Sequence, residues 1–207
     1  MLNIKIMGKY EDESQLIEGK VLPDGAVGFR EGKSLRDAFG LGLVLSLPIM
    51  IPMVILSIRR LWSLDKEVEV NIYFAVVAIA MIVLGWVLTY AHEFIHAILY
   101  PKKSMKTIWK VPEQGAVFVY CDAMVSKSRF VVISLAPVVI LGIIPFLIWY
   151  IIAPVLSGEW NIGILMIIWR MTFAAIGDYA NVFNAIRQVP KGAKVFNYGM
   201  HSYWIRY

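Results

Sequence analysis

Long apolar stretches separated by short polar segments dominate the sequence. Four of them occupy residues 38–58, 72–100, 130–152 and 161–187. The first contains 21 residues without a charge. A helix of about 20 residues crosses the roughly 30 Å hydrocarbon core of a bilayer. The pattern therefore predicts four membrane-spanning helices.

Prolines divide these predicted spans into two kinds. Pro48 and Pro52 fall inside the first span, and Pro137 and Pro145 fall inside the third. Proline has no N–H to donate and its ring clashes with the preceding turn, so the first span is predicted to be kinked and the third to be broken. The second span carries no proline, and its apolar run continues directly into polar residues near its end. We therefore expect one long helix over residues 72–100.

The polar segments contain short runs that favour β-structure. Apolar and polar residues alternate over residues 2–7, and residues 115–121 are rich in valine and aromatic side chains. These runs predict a strand or two near the N-terminus and a hairpin at the membrane surface. The predicted fold class is an all-α membrane protein with about four transmembrane helices and a small extramembrane β element. Its expected parts are an N-terminal segment 1–37, a transmembrane domain 38–187 and a tail 188–207.

Composition agrees with a bilayer as the partner of this chain. Of its 207 residues 59% are hydrophobic and 17% charged, against about a quarter charged in soluble domains. The net charge of +5 fits basic residues gathered on cytoplasmic loops, and we expect no nucleic-acid partner. The single cysteine, Cys121, excludes an intrachain disulfide. The first 37 residues are polar, unlike a cleavable signal peptide.

The distribution of lysine and arginine predicts an orientation in the cell membrane. Six lie in the N-terminal segment, six between the second and third spans, and four in the tail together with Arg187. The other two connections hold three and none. Because cytoplasmic loops are enriched in basic residues, we expect both termini and the central loop to be cytoplasmic. The second and fourth spans then end at the same face.

The second span carries the sequence His92-Glu93-Phe94-Ile95-His96 near that end. Residues four apart on a helix project from one face, one turn apart, so the two imidazoles can hold one zinc ion. Glu93 points to the side of that pair, where it can accept a proton from water as the water attacks a carbonyl. Two histidines and a glutamate are costly in lipid unless they are paired or bound to metal. The motif therefore predicts a zinc hydrolase site with Glu93 as the base.

A catalytic zinc needs a third protein ligand and one open position. Asp178 is the main candidate, since it is an ionisable side chain in the fourth span at a depth that matches the motif. Glu159 is expected at the opposite face, and Asp122 and Cys121 belong to no predicted helix. His201, in the tail, is the alternative ligand because imidazole binds zinc well.

Together these features resemble the site-2-protease class of intramembrane metalloproteases, and in particular a bacterial family of zincin peptidases of unknown function. Gly177 here precedes the aspartate, whereas site-2 proteases usually have a glycine after it. The resemblance covers roughly residues 72–195, and implies that His92, His96 and Asp178 bind Zn²⁺ and that Glu93 is catalytic. The sequences that carry it are the motif itself, Ser134-Leu135-Ala136-Pro137, Gly177-Asp178 and Val189-Pro190-Lys191-Gly192.

Other interpretations of the same residues stay open. Asp178 could pair with Arg170 or Arg187, and Asn181 could bind substrate, orient a ligand or satisfy helix packing. The predicted function is a zinc-dependent intramembrane protease acting on a membrane protein or peptide near the cytoplasmic leaflet. The alternative is a membrane adaptor or transporter that keeps a relic of the motif. A binuclear iron enzyme needs more histidines than His201 can add.

Overall fold

The computed structural model describes residues 2–31 and 35–206. Within them, four helical units are long and apolar enough to cross a membrane: Phe39–Leu64, Ile72–Leu99, Lys127–Val155 and Gly158–Gln188. The helices are α1 (Ser14–Ile17), α2 (Leu35–Leu64), α3 (Ile72–Leu99), α4 (Lys127–Val138), α5 (Ile144–Ile152), α6 (Gly158–Ala174) and α7 (Ile176–Gln188).

The first two units differ in how they begin and end. Helix α2 continues past the predicted boundary at residue 58. In this added part, Arg60 Nε donates to the Tyr150 carbonyl at 3.1 Å, and the guanidinium lies over the Tyr150 ring. Helix α3 starts sharply, since the Asn71 side chain accepts from the first free backbone N–H groups. It ends before Pro101. The uninterrupted helix predicted for the second span is present.

The third and fourth units are each interrupted. A π-helical stretch, Val139–Ile143, joins α4 to α5 between Pro137 and Pro145. Proline cannot complete the regular ladder, so a wider turn there is a natural outcome. Helix α6 gives way to α7 at Ala175, and α2 packs closely there, because a Cβ on Gly42 would collide with the Ile176 carbonyl. The fourth span is therefore two helices.

The β-structure is more extensive than predicted, so the fold is mostly helical but not all-α. In the described residues seven strands form two sheets, ordered β1-β3-β4 and β2-β7-β6-β5. The strands are β1 (Ile4–Lys9), β2 (Val27–Gly28), β3 (Lys106–Val111), β4 (Ala116–Tyr120), β5 (Val125–Ser126), β6 (Lys194–Tyr198) and β7 (His201–Ile205). The N-terminal segment, the central loop and the tail thus meet at one end of the helices.

Strands β3 and β4 form the predicted hairpin beside the motif helix. They pair from Thr107 opposite Tyr120 to Val111 opposite Ala116. The turn closes at Gly115, whose φ of +58° suits glycine better than any other residue. Strand β1 covers the far side of β3. The outer edge of β4 therefore faces α3.

Candidate metal centre

The structure brings together His92, His96 and Asp178. The two histidines lie one turn apart on α3, with ring centroids 4.9 Å apart, and both are buried. Asp178 approaches from α7 and places one oxygen 3.2 Å from His92 Nε2 and the other 3.4 Å from His96 Nε2. One candidate ligand atom from each residue lies within 4.8 Å of the other two.

These separations fit the requirements of zinc. With metal–ligand distances of about 2.0–2.2 Å, tetrahedral ligands lie about 3.3–3.5 Å apart. Both imidazole–carboxylate distances, 3.2 and 3.4 Å, are close to that value. Two imidazoles and one carboxylate are also a donor set typical of catalytic zinc, with one position left for water.

Local contacts orient one imidazole more firmly than the other. His96 Nδ1 lies 2.8 Å from the Ile133 carbonyl of α4. A carbonyl oxygen can only accept, so Nδ1 carries the proton and Nε2 keeps a free lone pair toward the other two residues. His92 Nδ1 is buried without a hydrogen-bond partner among the described residues. The α4 backbone therefore fixes the tautomer of His96.

The break in the fourth unit sets the position of Asp178. The side chain lies in the first turn of α7, just after the irregular residue Ala175. The N-terminal turn of a helix presents unpaired N–H groups and favours negative charge. Asp178 is thus placed where a carboxylate is tolerated, although the helices around it are apolar.

Glu93 is held beside this group by the outer edge of β4. Its Oε2 accepts a hydrogen bond from the Val119 backbone N–H at 2.8 Å, and its Oε1 lies 4.0 Å from His92 Nε2. That second oxygen faces the group of candidate ligands formed by His92, His96 and Asp178, here named the ligand group, without belonging to it. The arrangement suits a group that exchanges protons with a molecule bound at the centre.

The centre opens into a chain of cavities that follows β4. The cavity at the ligands, of about 250 Å³, is also lined by Phe118, Val119 and Asn181. A larger cavity of about 620 Å³ begins at Ala116 and Val117, and one of about 240 Å³ continues past Tyr120. The cavity at the ligands shares lining residues with each of the other two cavities. Together they form a cleft, here named the β4 cleft, between β4 and helices α3, α6 and α7.

The other sequence-predicted candidates lie away from the ligand group. His201, in the tail, pairs with Glu31 of the N-terminal segment at 3.0 Å, and most of the His201 side chain is exposed. Arg170 donates to the Gly85 carbonyl and to Thr89 Oγ1, and Arg187 lies over the Phe183 ring. Neither arginine is an ion-pair partner of Asp178 in the described residues.

Two loop candidates from the sequence have other partners. Asp122 pairs with Lys20 at 2.8 Å, and the Cys121 thiol lies 3.4 Å from Ser104 Oγ. Burial raises the pKa of the Cys121 thiol, and among the described residues Cys121 is not part of the group of candidate metal ligands.

Four groups at the cleft were not predicted from the sequence. The Val119 N–H and the Ile133 carbonyl belong to the backbone, which carries no residue-type signal. Tyr100 lines the cavity at the ligands, and its position four residues after His96 could have indicated this, because such residues share a helix face. Asn197, from β6, lies in the same cavity and is remote in sequence.

Comparison with known proteins agrees with this geometry. Residues 85–194 match the model of a family described as "Putative zincin peptidase". The match covers more than half of the chain and includes the motif, Ile133 and Asp178. The chain belongs to this family. No curated protein and no solved structure matches the chain.

Proposed function

We propose that this protein is a zinc-dependent intramembrane metalloprotease. It would hydrolyse a peptide bond of a membrane-anchored substrate near the cytoplasmic leaflet. The observation that carries the proposal is the convergence of His92, His96 and Asp178 at one point, with Glu93 beside them, in helices apolar enough to lie in a bilayer. The resemblance to site-2 proteases and the family membership support the same reading.

In this proposal, three residues bind the metal and a fourth transfers a proton. His92, His96 and Asp178 hold the metal, which when bound polarises the substrate carbonyl and makes water more acidic. Glu93 takes a proton from the attacking water and returns it to the nitrogen of the departing amine. Its bond to the Val119 N–H keeps one carboxylate oxygen in place while the other exchanges the proton.

The β4 cleft gives the substrate an extended path past this group. Because backbone groups alternate along a strand, the outward N–H of Val119 implies that Val117 also presents its N–H and carbonyl to the cleft. A peptide could add to β4 as a further strand. Its scissile bond would then lie opposite Glu93, and Asn181 on α7 could hydrogen-bond it from the other wall.

Metal analysis combined with a cleavage assay tests the proposal. Purified wild type should hold about one zinc per chain, and Glu93→Gln should hold the same amount. His92→Ala should lose it. Wild type and Glu93→Gln are then compared by mass spectrometry of new termini in membranes that contain single-span proteins. New peptide termini that appear with wild type but not with Glu93→Gln support a protease. Bound zinc without such new termini supports the relic alternative.

The side of the membrane is tested separately. Reporter fusions after Lys110 and after Arg206 should report the cytoplasm, and one near Gly158 should report the outside, following the basic residues. A reversed pattern would move the proposed cleavage to the other leaflet. Termini on opposite sides from the central loop would contradict the arrangement of four spans.

A further inference from the structure

Tyr100 is a buried tyrosine at the C-terminal end of the motif helix α3. It caps α3 four residues after His96, and its side chain is buried against Phe130 and Ile133. It lines the same cavity as Glu93 and the three candidate ligands.

The Tyr100 hydroxyl accepts a hydrogen bond, but its proton has no acceptor among the described residues. Its hydroxyl oxygen accepts from Asn197 Nδ2 at 3.3 Å. The same amide donates to the Cys121 carbonyl at 3.2 Å, and its oxygen accepts from Ser202 Oγ at 3.2 Å, so Asn197 is fixed in this orientation. Among the described residues, no bond uses the Tyr100 hydroxyl as donor. A buried hydroxyl normally donates to some partner, and the polar cavity is where one could lie.

We propose that Tyr100 is a catalytic residue that donates a hydrogen bond to the oxygen of the scissile carbonyl as that oxygen becomes negative. The proposal rests on the protease function above. Water oxygen bonds to the carbonyl carbon, the π electron pair moves to the carbonyl oxygen, and Glu93 takes the water proton. The C–N bond then breaks and that proton goes to the nitrogen, giving an acid and an amine. Tyr100 keeps its own proton throughout.

Asn197 is a positioning residue in this scheme. By donating to the Tyr100 oxygen it occupies a lone pair and turns the hydroxyl proton away from β6. A donor placed where charge develops contributes more to the transition state than to the substrate complex. The Tyr100 hydroxyl should therefore affect kcat much more than KM.

A binding experiment tests the role without depending on turnover. The protein is loaded with Co²⁺, and its visible spectrum is titrated with a capped Ala-Ala phosphinic peptide, whose tetrahedral anion resembles the reacting carbonyl. Tyr100→Phe should bind cobalt as wild type does but bind the phosphinate about 100-fold more weakly. Asn197→Leu should lose about 3- to 10-fold. With a cleavable substrate, Tyr100→Phe should lower kcat about 100-fold and leave KM within about threefold.

Tyr179→Phe is the matched control, because it removes a buried hydroxyl that faces the Thr172 carbonyl instead of the cavity. It should behave as wild type in both measurements. Equal phosphinate affinity in wild type and Tyr100→Phe would overturn the assignment, as would a cobalt-loaded wild type that does not respond to the phosphinate. A wild type that binds no metal would instead overturn the proposed protease function.

Discussion

Two buried polar clusters in the apolar helices differ in one respect. At one end, Asn161 on α6 is fully buried, and its side chain is used by protein partners: it accepts from Trp149 Nε1 and donates to the carbonyls of Ala153, Leu156 and Ser157. At the other end, the ligand group directs two imidazoles and a carboxylate at one another. The first cluster is complete, and the second is arranged for something to bind.

The difference distinguishes polar side chains that satisfy one another in an apolar helix from polar side chains that are directed at a common point. A polar side chain in lipid is costly unless it is satisfied. Asn161 meets that condition with groups close in sequence. The ligand group, in contrast, combines residues from two helices that are distant in sequence, and strand β4 positions Glu93 beside it. This comparison suggests that substitutions in the two clusters should have different consequences.

The largest effect is expected from Asp178. If Asp178 is the anionic ligand that we propose, Asp178→Ala should lower zinc retention by more than about 100-fold, beyond what loss of a supporting residue costs, and should abolish cleavage. Membrane insertion should be unchanged. Zinc stoichiometry is measured after dialysis against graded chelator. A variant that keeps one zinc per chain would show that another group completes the site.

A smaller effect is expected at the β4 edge. Val117→Pro removes an N–H that faces the cleft and leaves the ladder to β3 intact. If substrates add to β4, KM should rise about tenfold while zinc content stays constant. Phe118→Pro is the control for strand damage, since residue 118 bonds to β3, and it should lower the melting temperature instead. An unchanged KM in Val117→Pro would argue against strand addition.

The smallest effect on the site is expected from the opposite cluster. Asn161→Leu leaves the Trp149 N–H and one or more carbonyls without a partner, which should cost about 1–3 kcal/mol of stability. Thermal unfolding in detergent should detect the loss. Zinc content and cleavage at low temperature should match those of wild type. Loss of zinc in this variant would mean that the two ends are coupled.

The sequence was informative where a local pattern carried the signal. The spacing of His92 and His96 predicted a shared face, and depth along the fourth span predicted that Asp178 would lie near them. Both expectations about placement are confirmed by the short distances between these side chains. The third span was also predicted to be broken at its prolines, and a π-helical stretch lies between Pro137 and Pro145. Proline alone is not sufficient, since α2 stays one helix through Pro48 and Pro52.

Features that depend on distant pairing were not predictable in this way. Strand β1 pairs with β3 about one hundred positions away, and β2 pairs with β7, which lies in the tail. Strand propensity depends on such neighbours more than on the residue itself. The predicted helical architecture is confirmed, whereas the extent of the β-structure was underestimated for this reason. The break at Ala175 was missed as well, since no glycine or proline marks that residue.

The open edge of β4 has a consequence for selectivity. Backbone N–H and carbonyl groups are the same in every peptide, so an edge that recognises them accepts many sequences. A transmembrane segment, however, must first give up its own helical hydrogen bonds before it can pair with a strand. If the protein is a protease and its substrates bind in this way, it would select among them by how easily each segment unwinds. A single glycine or proline in a substrate would then matter more than the residues on either side of the cut.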